Sequence, residues 1–383
     1  MRKKDNFSNF DLVLLREWKN EKFMQFRSVS TVLLILILAC NTPAELVHKD
    51  DCEATATSYN QIYKGLKTFP EVIKGDLCIR NIDLSQNEIS TIPEWIASIK
   101  NLEKLDLNSN QIREIPEALC QLTGLKELDI SGNPITALPK AFEGILSLEV
   151  LTLGYSNMKH MPLEIFELKG LKELSLFKSG VSTLSPLIFE LSNLEDLRCY
   201  NNQLEDLPPE VSQLKKLKKL GLSFNDFTEI PAPVFELTQL ETLLMDQCQV
   251  STVSAEVGQL KNLQYLQLSR NQLSELPQSL GQLQALTRLN LSTNDFKAIP
   301  QAIFTLENVE TLELASNKLT ELPSEIKNLK KLKKLDLRSN YLEKFPPELF
   351  EMKNLETLLI KGNKLPIETL NELRKKLPGT KIR

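Results

Sequence analysis

The protein has 383 residues, of which 25% are charged, and its formal net charge at pH 7 is −4. A pI of about 5.6 gives the chain no overall attraction to phosphate backbones, so we expect no nucleic-acid partner. Two lysine clusters, within 215–219 and 330–334, are interpreted as solvated edges of strands and loops and not as a groove for nucleic acid.

The N-terminal residues are predicted to form a targeting segment. Residues 1–23 mix charges of both signs and are interpreted as an extension or as a mis-set start ahead of Met24. An unbroken apolar run over 32–39 follows Arg27 and directly precedes Cys40. This run is shorter than the about 20 residues that a membrane-spanning helix needs, and it fits the apolar core of a signal peptide.

The residues Ile37-Leu38-Ala39-Cys40 resemble the bacterial lipoprotein box, in which a signal peptidase cleaves before a cysteine that carries acyl chains. The resemblance implies a signal peptide over 24–39, lipidation of Cys40 and a tether over 40–51. It predicts a protein anchored by lipid to a membrane of the bacterial cell envelope. An uncleaved membrane anchor and a buried core helix are the alternatives for the apolar run.

An N-terminal cap is predicted over 52–76, because Leu66-Lys-Thr-Phe69-Pro70 matches the second half of the repeat described next. Cys52 and Cys78 lie near this cap. In an oxidising envelope they could form a disulfide that clamps the cap to the first repeat, with two separate thiols as the alternative. The six cysteines of the chain do not have the spacing of a metal site.

A 23-residue repeat occupies 77–366 as thirteen units without insertion or deletion. Alternation of apolar and polar residues at 105–107 predicts a short strand with its leucines inward. Proline at 116 lacks an N–H and cannot continue the hydrogen bonds of a strand, so the chain must turn there. A single unit cannot bury its own apolar face, so the units must stack along an axis. One unit reads Leu102-Glu-Lys-Leu105-Asp-Leu107-Asn-Ser-Asn110-Gln-Ile112-Arg-Glu-Ile115-Pro116.

This pattern resembles the short, 23-residue class of the leucine-rich repeat family. The resemblance implies an α/β solenoid of horseshoe shape, with a parallel sheet on the concave face and short helical or irregular segments on the convex face. Caps are expected at both ends. The C-terminal cap over 367–383 should contain a helix, because Leu370, Leu373 and Leu377 have helical spacing and Pro378 follows them.

The first residue after each strand turn is asparagine in ten of the thirteen units. Its amide offers two donors and an acceptor to the backbone groups left where the chain leaves the strand, so the stacked amides should form a ladder. Ser156, Ser179 and Cys248 interrupt this series. The predicted ladder residues are Asn87, Asn110, Asn133, Asn202, Asn225, Asn271, Asn294, Asn317, Asn340 and Asn363.

Catalytic chemistry has little support in the sequence. The chain has two histidines and lacks a Ser/His/Asp set, paired metal ligands or a phosphate-binding glycine loop. Asp83, Asp106 and Asp129 fall in one outward column of the predicted sheet, which we interpret as solvated surface charge in preference to a cation site. We therefore expect no enzyme activity, no cofactor and no metal.

The outward positions of the predicted strands are mostly polar, but the middle of the sheet carries large apolar side chains. Aromatic side chains in a row are unfavourable on a free surface, and together with arginine they are typical of interface hot spots. The alternative is that the rings pack on one another and only stabilise the fold. The candidate partner-binding residues are Tyr155, Phe177, Arg198, Tyr200, Phe224, Leu244 and Tyr265.

The sequence thus predicts a monomeric, non-enzymatic recognition protein, lipid-anchored at a bacterial envelope, that binds a protein or, as a second class of ligand, a glycan. The alternative is a cytoplasmic scaffold or adaptor, because the 23-residue class also resembles adaptors that bind small GTPases.

Overall fold

A computed structural model describes residues 57–156, 158 and 161–383. All of them belong to one compact unit, Lys49–Arg383. The predicted signal peptide, the lipidation site Cys40, the tether and Cys52 lie outside the described residues.

The described residues form a single parallel sheet of fifteen strands, arranged in the order of the chain. Neighbouring strands are in register at intervals of 23 residues, so that Leu105 faces Leu128 and Leu128 faces Leu151. The strands are β1 (Thr57–Asn60), β2 (Ile79–Asp83), β3 (Lys104–Asp106), β4 (Glu127–Asp129), β5 (Val150–Thr152), β6 (Glu173–Ser175), β7 (Asp196–Arg198), β8 (Lys219–Gly221), β9 (Thr242–Leu244), β10 (Tyr265–Gln267), β11 (Arg288–Asn290), β12 (Thr311–Glu313), β13 (Lys334–Asp336), β14 (Thr357–Leu359) and β15 (Lys381–Ile382).

Strands β2 to β14 are the thirteen that the repeat predicts, and β1 and β15 extend the sheet at its two ends. β1 lies within the segment predicted as the N-terminal cap, and its pairing with β2 shifts register between Thr57 and Ser58. The single α-helix of the described residues, α1 (Ile367–Lys376), precedes β15. Its last turn carries Arg374, Lys375 and Lys376, where the helix dipole favours cations. At a spacing of about 4.8 Å, fifteen strands make a face roughly 67 Å long.

Short 3-10 helices form the opposite side of each unit, where the sequence predicted helical or irregular segments. Most of them begin directly after a proline, such as Pro93 or Pro139, because proline fixes φ and lacks the N–H that a first turn would leave unpaired. The 3-10 helices are Glu71–Ile73, Glu94–Ser98, Leu119–Gln121, Lys140–Gly144, Leu163–Glu167, Pro186–Glu190, Pro209–Gln213, Ala232–Glu236, Ala255–Gln259, Gln278–Gln282, Gln301–Thr305, Ser324–Asn328 and Pro347–Glu351.

The core is one continuous apolar layer between the sheet and the 3-10 helices. The two inward apolar residues of each repeat, mostly leucines, point into it, and Leu105 and Leu107 have no solvent exposure. Aromatic rings also belong to this layer, and Phe142, Phe227 and Phe296 are fully buried. Because each unit completes its core only against its neighbours, the stack is the smallest stable arrangement.

An amide ladder joins the units where the chain leaves each strand. The Nδ2 group of Asn110 donates to the carbonyl oxygens of Leu84 and Leu107, both at 3.0 Å, and its Oδ1 accepts from the N–H of Ile89 at 3.0 Å. The other nine ladder asparagines repeat this pattern. Each amide therefore satisfies backbone groups of its own unit and of the unit before it.

The ladder is weakest at its two serines. The Oγ of Ser156 is buried and has no hydrogen-bond partner within the described part of the chain, and the N–H of Ile135 bonds instead to the carbonyl oxygen of Asn133. Ser179 keeps one bond from its Oγ, to the carbonyl oxygen of Leu153 at 3.3 Å. At the third interruption, the thiol of Cys248 lies 3.5 Å from the carbonyl oxygen of Leu222.

Two further ladders were not predicted from the sequence. A second set of asparagines reaches back 24 residues, as when the Nδ2 of Asn101 donates to the carbonyl oxygen of Leu77 at 2.7 Å. Alternating charges near the start of the strands form a third set, in which Glu103 pairs with both Arg80 and Lys126. The other members of the second set are Asn193, Asn262, Asn308 and Asn354.

Candidate binding surface

Outward side chains form columns across the sheet, because the strands repeat in register every 23 residues. The middle column consists of the residues between the two inward leucines of each unit. The end column consists of the residues two positions later, among them Asn108, Phe177, Tyr200 and Arg338. The middle column runs Asp83, Asp106, Asp129, Thr152, Ser175, Arg198, Gly221, Leu244, Gln267, Asn290, Glu313, Asp336 and Leu359.

Three of the candidate residues come together as an aromatic cluster, which consists of Tyr155, Phe177 and Tyr200. The ring centroids of Tyr155 and Phe177 lie 4.8 Å apart with planes at 84°, and those of Phe177 and Tyr200 lie 6.5 Å apart at 70°. Edge-to-face pairs of this kind stabilise each other beyond the area they bury. Tyr155 is 45% exposed, and the other two side chains are half-buried. The rings thus pack on one another and still present apolar surface to solvent.

Two glycines make room for this cluster. A Cβ atom at Gly221 would lie 2.2 Å from the Cζ atom of Tyr200, so the phenol ring occupies the space above that strand residue. A Cβ atom at Gly154 would lie 2.7 Å from the carbonyl oxygen of Phe177. Burial raises the pKa of the Tyr200 hydroxyl. Glycine at an outward strand position often marks a close approach, and this signal could have been read from the sequence.

Charged side chains frame the cluster. The Nζ atom of Lys178 lies 5.0 Å from the ring centroid of Tyr155, within the range of a cation–π contact. Arg198 donates from Nε to Asp196 Oδ1 at 2.9 Å and from Nη2 to Asp196 Oδ2, and it reaches Glu173 at 3.5 Å. Its side chain is only 17% exposed. The predicted hot-spot arginine is therefore held by carboxylates of its own chain.

The remaining candidates lie around the cluster rather than in it. Leu244 is half-buried and stands in register with Gly221, next to the position covered by Tyr200. Phe224 lies in the turn after β8 with a left-handed backbone, at φ 58°. The hydroxyl of Tyr265 donates to Gln267 Oε1, and the guanidinium of Arg288 lies 4.5 Å from its ring centroid.

The turn position that follows the end column has positive φ in unit after unit. Glycine fills it at Gly132 and Gly362, whereas Tyr155 and Phe224 place aromatic residues there at φ 53° and 58°. Left-handed backbone is unfavourable for bulky residues. Most units nevertheless place a residue other than glycine there, including Tyr63 at φ 54°, so the backbone of this turn does not by itself distinguish Tyr155 and Phe224.

A shallow cavity of about 540 Å³ adjoins the cluster, and Ser156, Lys178, Ser179 and Asn202 are among the residues that line it. It lies where the amide ladder is weakest. Two irregularities of the stack, the aromatic cluster and the serine steps, therefore occur in the same units.

The acidic column predicted near the N-terminal end is present, with Asp83, Asp106 and Asp129 in register on β2, β3 and β4. Desolvation, reinforced by the charge of Asp129, raises the pKa of Asp106 to about 6. The described residues contain no group of three or more His, Cys, Asp or Glu side chains placed to hold a metal ion.

Cys78 forms a disulfide. The three cysteines found free within the described residues are Cys120, Cys199 and Cys248, so the second half-cystine lies outside those residues. The pairing of Cys78 with Cys52 stays a prediction.

Comparison with known proteins identifies the repeat. A family model described as leucine rich repeat matches residues 79–135, 238–296 and 285–342, and a BspA-type leucine rich repeat region model matches 139–257. A leucine-rich-repeat protein of Leptospira interrogans is 32% identical, with a TM-score of 0.74, over 85% of this chain and 94% of that one. The chain belongs to the leucine-rich repeat family.

Other leucine-rich-repeat structures align over most of the chain. An internalin, InlF, from Listeria monocytogenes is 25% identical, with a TM-score of 0.68, over 79% of this chain and 86% of that one. The plant peptide hormone receptor RGFR1, solved in complex with RGF2, is 27% identical with a TM-score of 0.59, over 81% of this chain and 54% of the receptor. The comparison with curated proteins finds no match. Leucine-rich-repeat folds of this kind are used for protein binding.

Proposed function

We propose that this leucine-rich-repeat protein recognises a protein partner through the middle of its concave face and is anchored by lipid at a bacterial cell envelope. The observation that carries the binding half of this proposal is the aromatic cluster. Three packed rings occupy a sheet face whose other outward positions are mostly polar, and the ring of Tyr155 is 45% exposed.

The geometry supports a contact with a macromolecule. Phe177 and Tyr200 immobilise each other, so an incoming group meets a pre-formed apolar surface and little side-chain entropy is lost on binding. Charged groups of Lys178 and Arg198 lie near the rings of Tyr155 and Tyr200, which matches the apolar centre and polar rim of protein interfaces. The complex of the plant receptor RGFR1 with RGF2 supports a protein or peptide ligand.

A role in binding without catalysis is part of the proposal. Burial raises the pKa of the thiols of Cys120 and Cys248 to about 11 and that of Cys199 to about 12, so these thiols are unsuited to act as nucleophiles. The leucine-rich repeat family generally provides binding scaffolds.

Two observations support the envelope location. The lipoprotein-type sequence ends at Cys40, and the disulfide at Cys78 is typical of an oxidising compartment. The structural relatives from Leptospira interrogans and Listeria monocytogenes are bacterial proteins. Within residues 57–156, 158 and 161–383, no helix has the length and apolarity needed to cross a bilayer.

The binding surface can be tested with a photo-crosslinking amino acid in place of Tyr155, followed by mass spectrometry of the crosslinked partner. With the purified partner, Tyr155→Ser and Phe177→Ser should each weaken binding by about tenfold or more. Tyr341→Ser is the matched control, because Tyr341 is also exposed, at 49%, and also lies under a lysine, Lys364. If Tyr155→Ser and Phe177→Ser bind the partner as tightly as the control Tyr341→Ser, and all three have an unchanged circular dichroism spectrum, the proposed surface is refuted.

The anchor is tested separately by mass spectrometry of the mature N-terminus. An acylated Cys40 supports the envelope proposal. An intact Met1 in a cytosolic fraction would contradict it and favour the intracellular adaptor. In the crosslinking experiment at position 155, a crosslinked glycan would identify the ligand as a glycan and not a protein.

A further inference from the structure

The middle column carries carboxylates at both ends of the sheet, and at the C-terminal end the chain pairs them with its own cations. Asp336 is buried and accepts from Arg338 Nε at 2.9 Å and Nη2 at 2.6 Å. Glu313, also buried, pairs with Lys334 at 2.5 Å and with Arg288 at 3.9 Å. In these units the fold satisfies a carboxylate of the middle column with a cation from the same or a neighbouring strand.

At the N-terminal end the same column lacks such cations. Within the described part of the chain, Asp83, Asp106 and Asp129 form no ion pair within 4 Å. The end-column position that holds Arg338 in the later unit holds Ser85, Asn108 and Ser131 here.

The hydrogen bonds of these aspartates leave one side of each carboxylate open. Oδ1 of Asp106 accepts from the N–H of Asn108 at 2.9 Å and from its Nδ2 at 2.6 Å, and Ser85 and Ser131 bond the Oδ1 atoms of Asp83 and Asp129 in the same way. No hydrogen bond to any of the three Oδ2 atoms is found among residues 57–156, 158 and 161–383.

The surroundings of Asp106 and Asp129 disfavour the ionised form of their carboxyl groups. Burial and the neighbouring Asp129 and Asp83 raise the pKa of Asp106, and burial raises that of Asp129. Lys104 on β3 lowers the pKa of Asp129, but its Nζ is paired with Glu127. A row of half-buried carboxylates with one engaged lysine nearby is therefore a surface that favours an external cation.

The aspartates and the aromatic cluster are close enough for one ligand segment to contact both. Asp106 and Asp129 lie on β3 and β4, and the rings of the aromatic cluster follow β5, β6 and β7. The centres of the two groups are two and a half strand spacings apart, which corresponds to about 12 Å, or roughly four residues of an extended chain. We infer that the partner presents an extended segment with a lysine or arginine about four residues from a large apolar side chain, the cation on Asp106 and Asp129 and the apolar group on the aromatic cluster.

This inference rests on the proposed function and is tested with the full chain. A displayed library of random 12-residue peptides is selected on the wild-type protein and counter-selected on the Tyr155→Ser/Phe177→Ser variant, so that only cluster-dependent binders survive. The surviving peptides should be enriched in a lysine or arginine three to five positions from an aromatic or large aliphatic residue. Survivors with acidic residues or no charge preference there would overturn the inference and leave the proposed function intact.

A synthetic peptide of the most enriched sequence then serves as the probe in fluorescence anisotropy. Asp106→Asn/Asp129→Asn should weaken its binding about tenfold at low ionic strength, with a smaller ratio at 0.5 M salt. Asn108→Arg should weaken binding as well, because it places a guanidinium where Arg338 stands in the later unit. Asp295→Asn removes an exposed carboxylate that pairs with Lys318 and should leave the affinity unchanged.

The outcomes separate the two ideas. If the double aspartate variant folds normally and binds the probe as tightly as the wild type, the cationic contact is wrong although the cluster still binds. If no peptide survives counter-selection, the extended segment is refuted, whereas the proposed contact at the cluster is still decided by crosslinking at Tyr155.

Discussion

The phenol ring of Tyr200 lies over Gly221, in the space that any larger residue at position 221 would claim for its own Cβ atom. Gly221 stands in register with Arg198 on one side and Leu244 on the other. The ring therefore extends the apolar surface of the aromatic cluster from one strand onto the next.

Gly221→Ala should displace the Tyr200 ring without unfolding the protein. The new Cβ would lie 2.2 Å from Cζ, but the contact is with the far end of a side chain that can rotate, so we expect a loss of about 1 kcal/mol in the free energy of unfolding. Because the displaced ring is more exposed, the pKa of Tyr200, which burial raises, should move back toward its ordinary value. Urea unfolding and an NMR titration of labelled tyrosine measure the two effects.

A double-mutant cycle shows whether the two residues act together. In the Tyr200→Ser background the added methyl group meets no ring, so Gly221→Ala should then be neutral or slightly stabilising. Equal destabilisation in both backgrounds would mean that the glycine is needed for its backbone and not for the ring.

Ser156→Asn should repair the amide ladder. The buried Oγ of Ser156 has no partner among the described residues, whereas an amide there could reach the carbonyl oxygens of Ile130 and Leu153, as Asn133 reaches those of Leu107 and Ile130. We expect a gain of about 1 kcal/mol in stability. The reverse change, Asn133→Ser, should cost about 1–3 kcal/mol. Denaturant midpoints of the two variants that move in the same direction would contradict this account.

Asp106→Asn should stabilise the protein at alkaline pH and lose that advantage at acid pH. The folded-state pKa of about 6 exceeds the ordinary value of 3.8, so between these values the folded state binds more protons than the unfolded state, and stability falls as pH rises through the window. At pH 8 the ionised carboxylate is unfavourable, and its removal should add roughly 1–2 kcal/mol after allowance for solvent screening. Unfolding curves at pH 4 and pH 8 test the sign, and a larger gain at pH 4 would refute it.

The described free thiols should be protected in the native protein. With pKa values raised by burial to about 11 at Cys120 and Cys248 and about 12 at Cys199, about one thiol in a thousand or fewer is ionised at pH 8. Iodoacetamide should therefore modify them slowly in buffer and rapidly in urea, as followed by peptide mass spectrometry. Complete labelling of native protein within minutes would show that the core opens readily.

The sequence predicted those parts of the fold that the 23-residue period repeats. Inward leucines such as Leu105 follow from that local rule alone, as does the turn before each 3-10 helix. β1 was missed because Thr57–Asn60 carries none of the repeat's leucines and pairs only by continuing the stack. The second asparagine ladder, which includes Asn101, was also not predicted, because only some units have asparagine at that position of the repeat.

The candidate site was harder to predict, because it depends on contacts that break the period. Tyr155, Phe177 and Tyr200 could be picked out as outward rings, but their mutual packing depends on the turn in which each lies. Arg198 was expected to face a partner, and the structure shows that its guanidinium also pairs with Asp196 on the same strand. The spacing of residues in the sequence does not show whether an arginine pairs with a carboxylate of its own chain or with one of a partner.

The serine steps of the ladder have a mechanical consequence. In a stack bound only by contacts between neighbours, tension applied along the axis should open the junction where the amide ladder of the described residues has the fewest hydrogen bonds, at Ser156 and Ser179. A ligand seated across Tyr155, Phe177 and Tyr200 would straddle the same joint. We expect such a ligand to hold the two sides of the junction together, so that the protein with bound ligand opens at a higher pulling force than the protein without it.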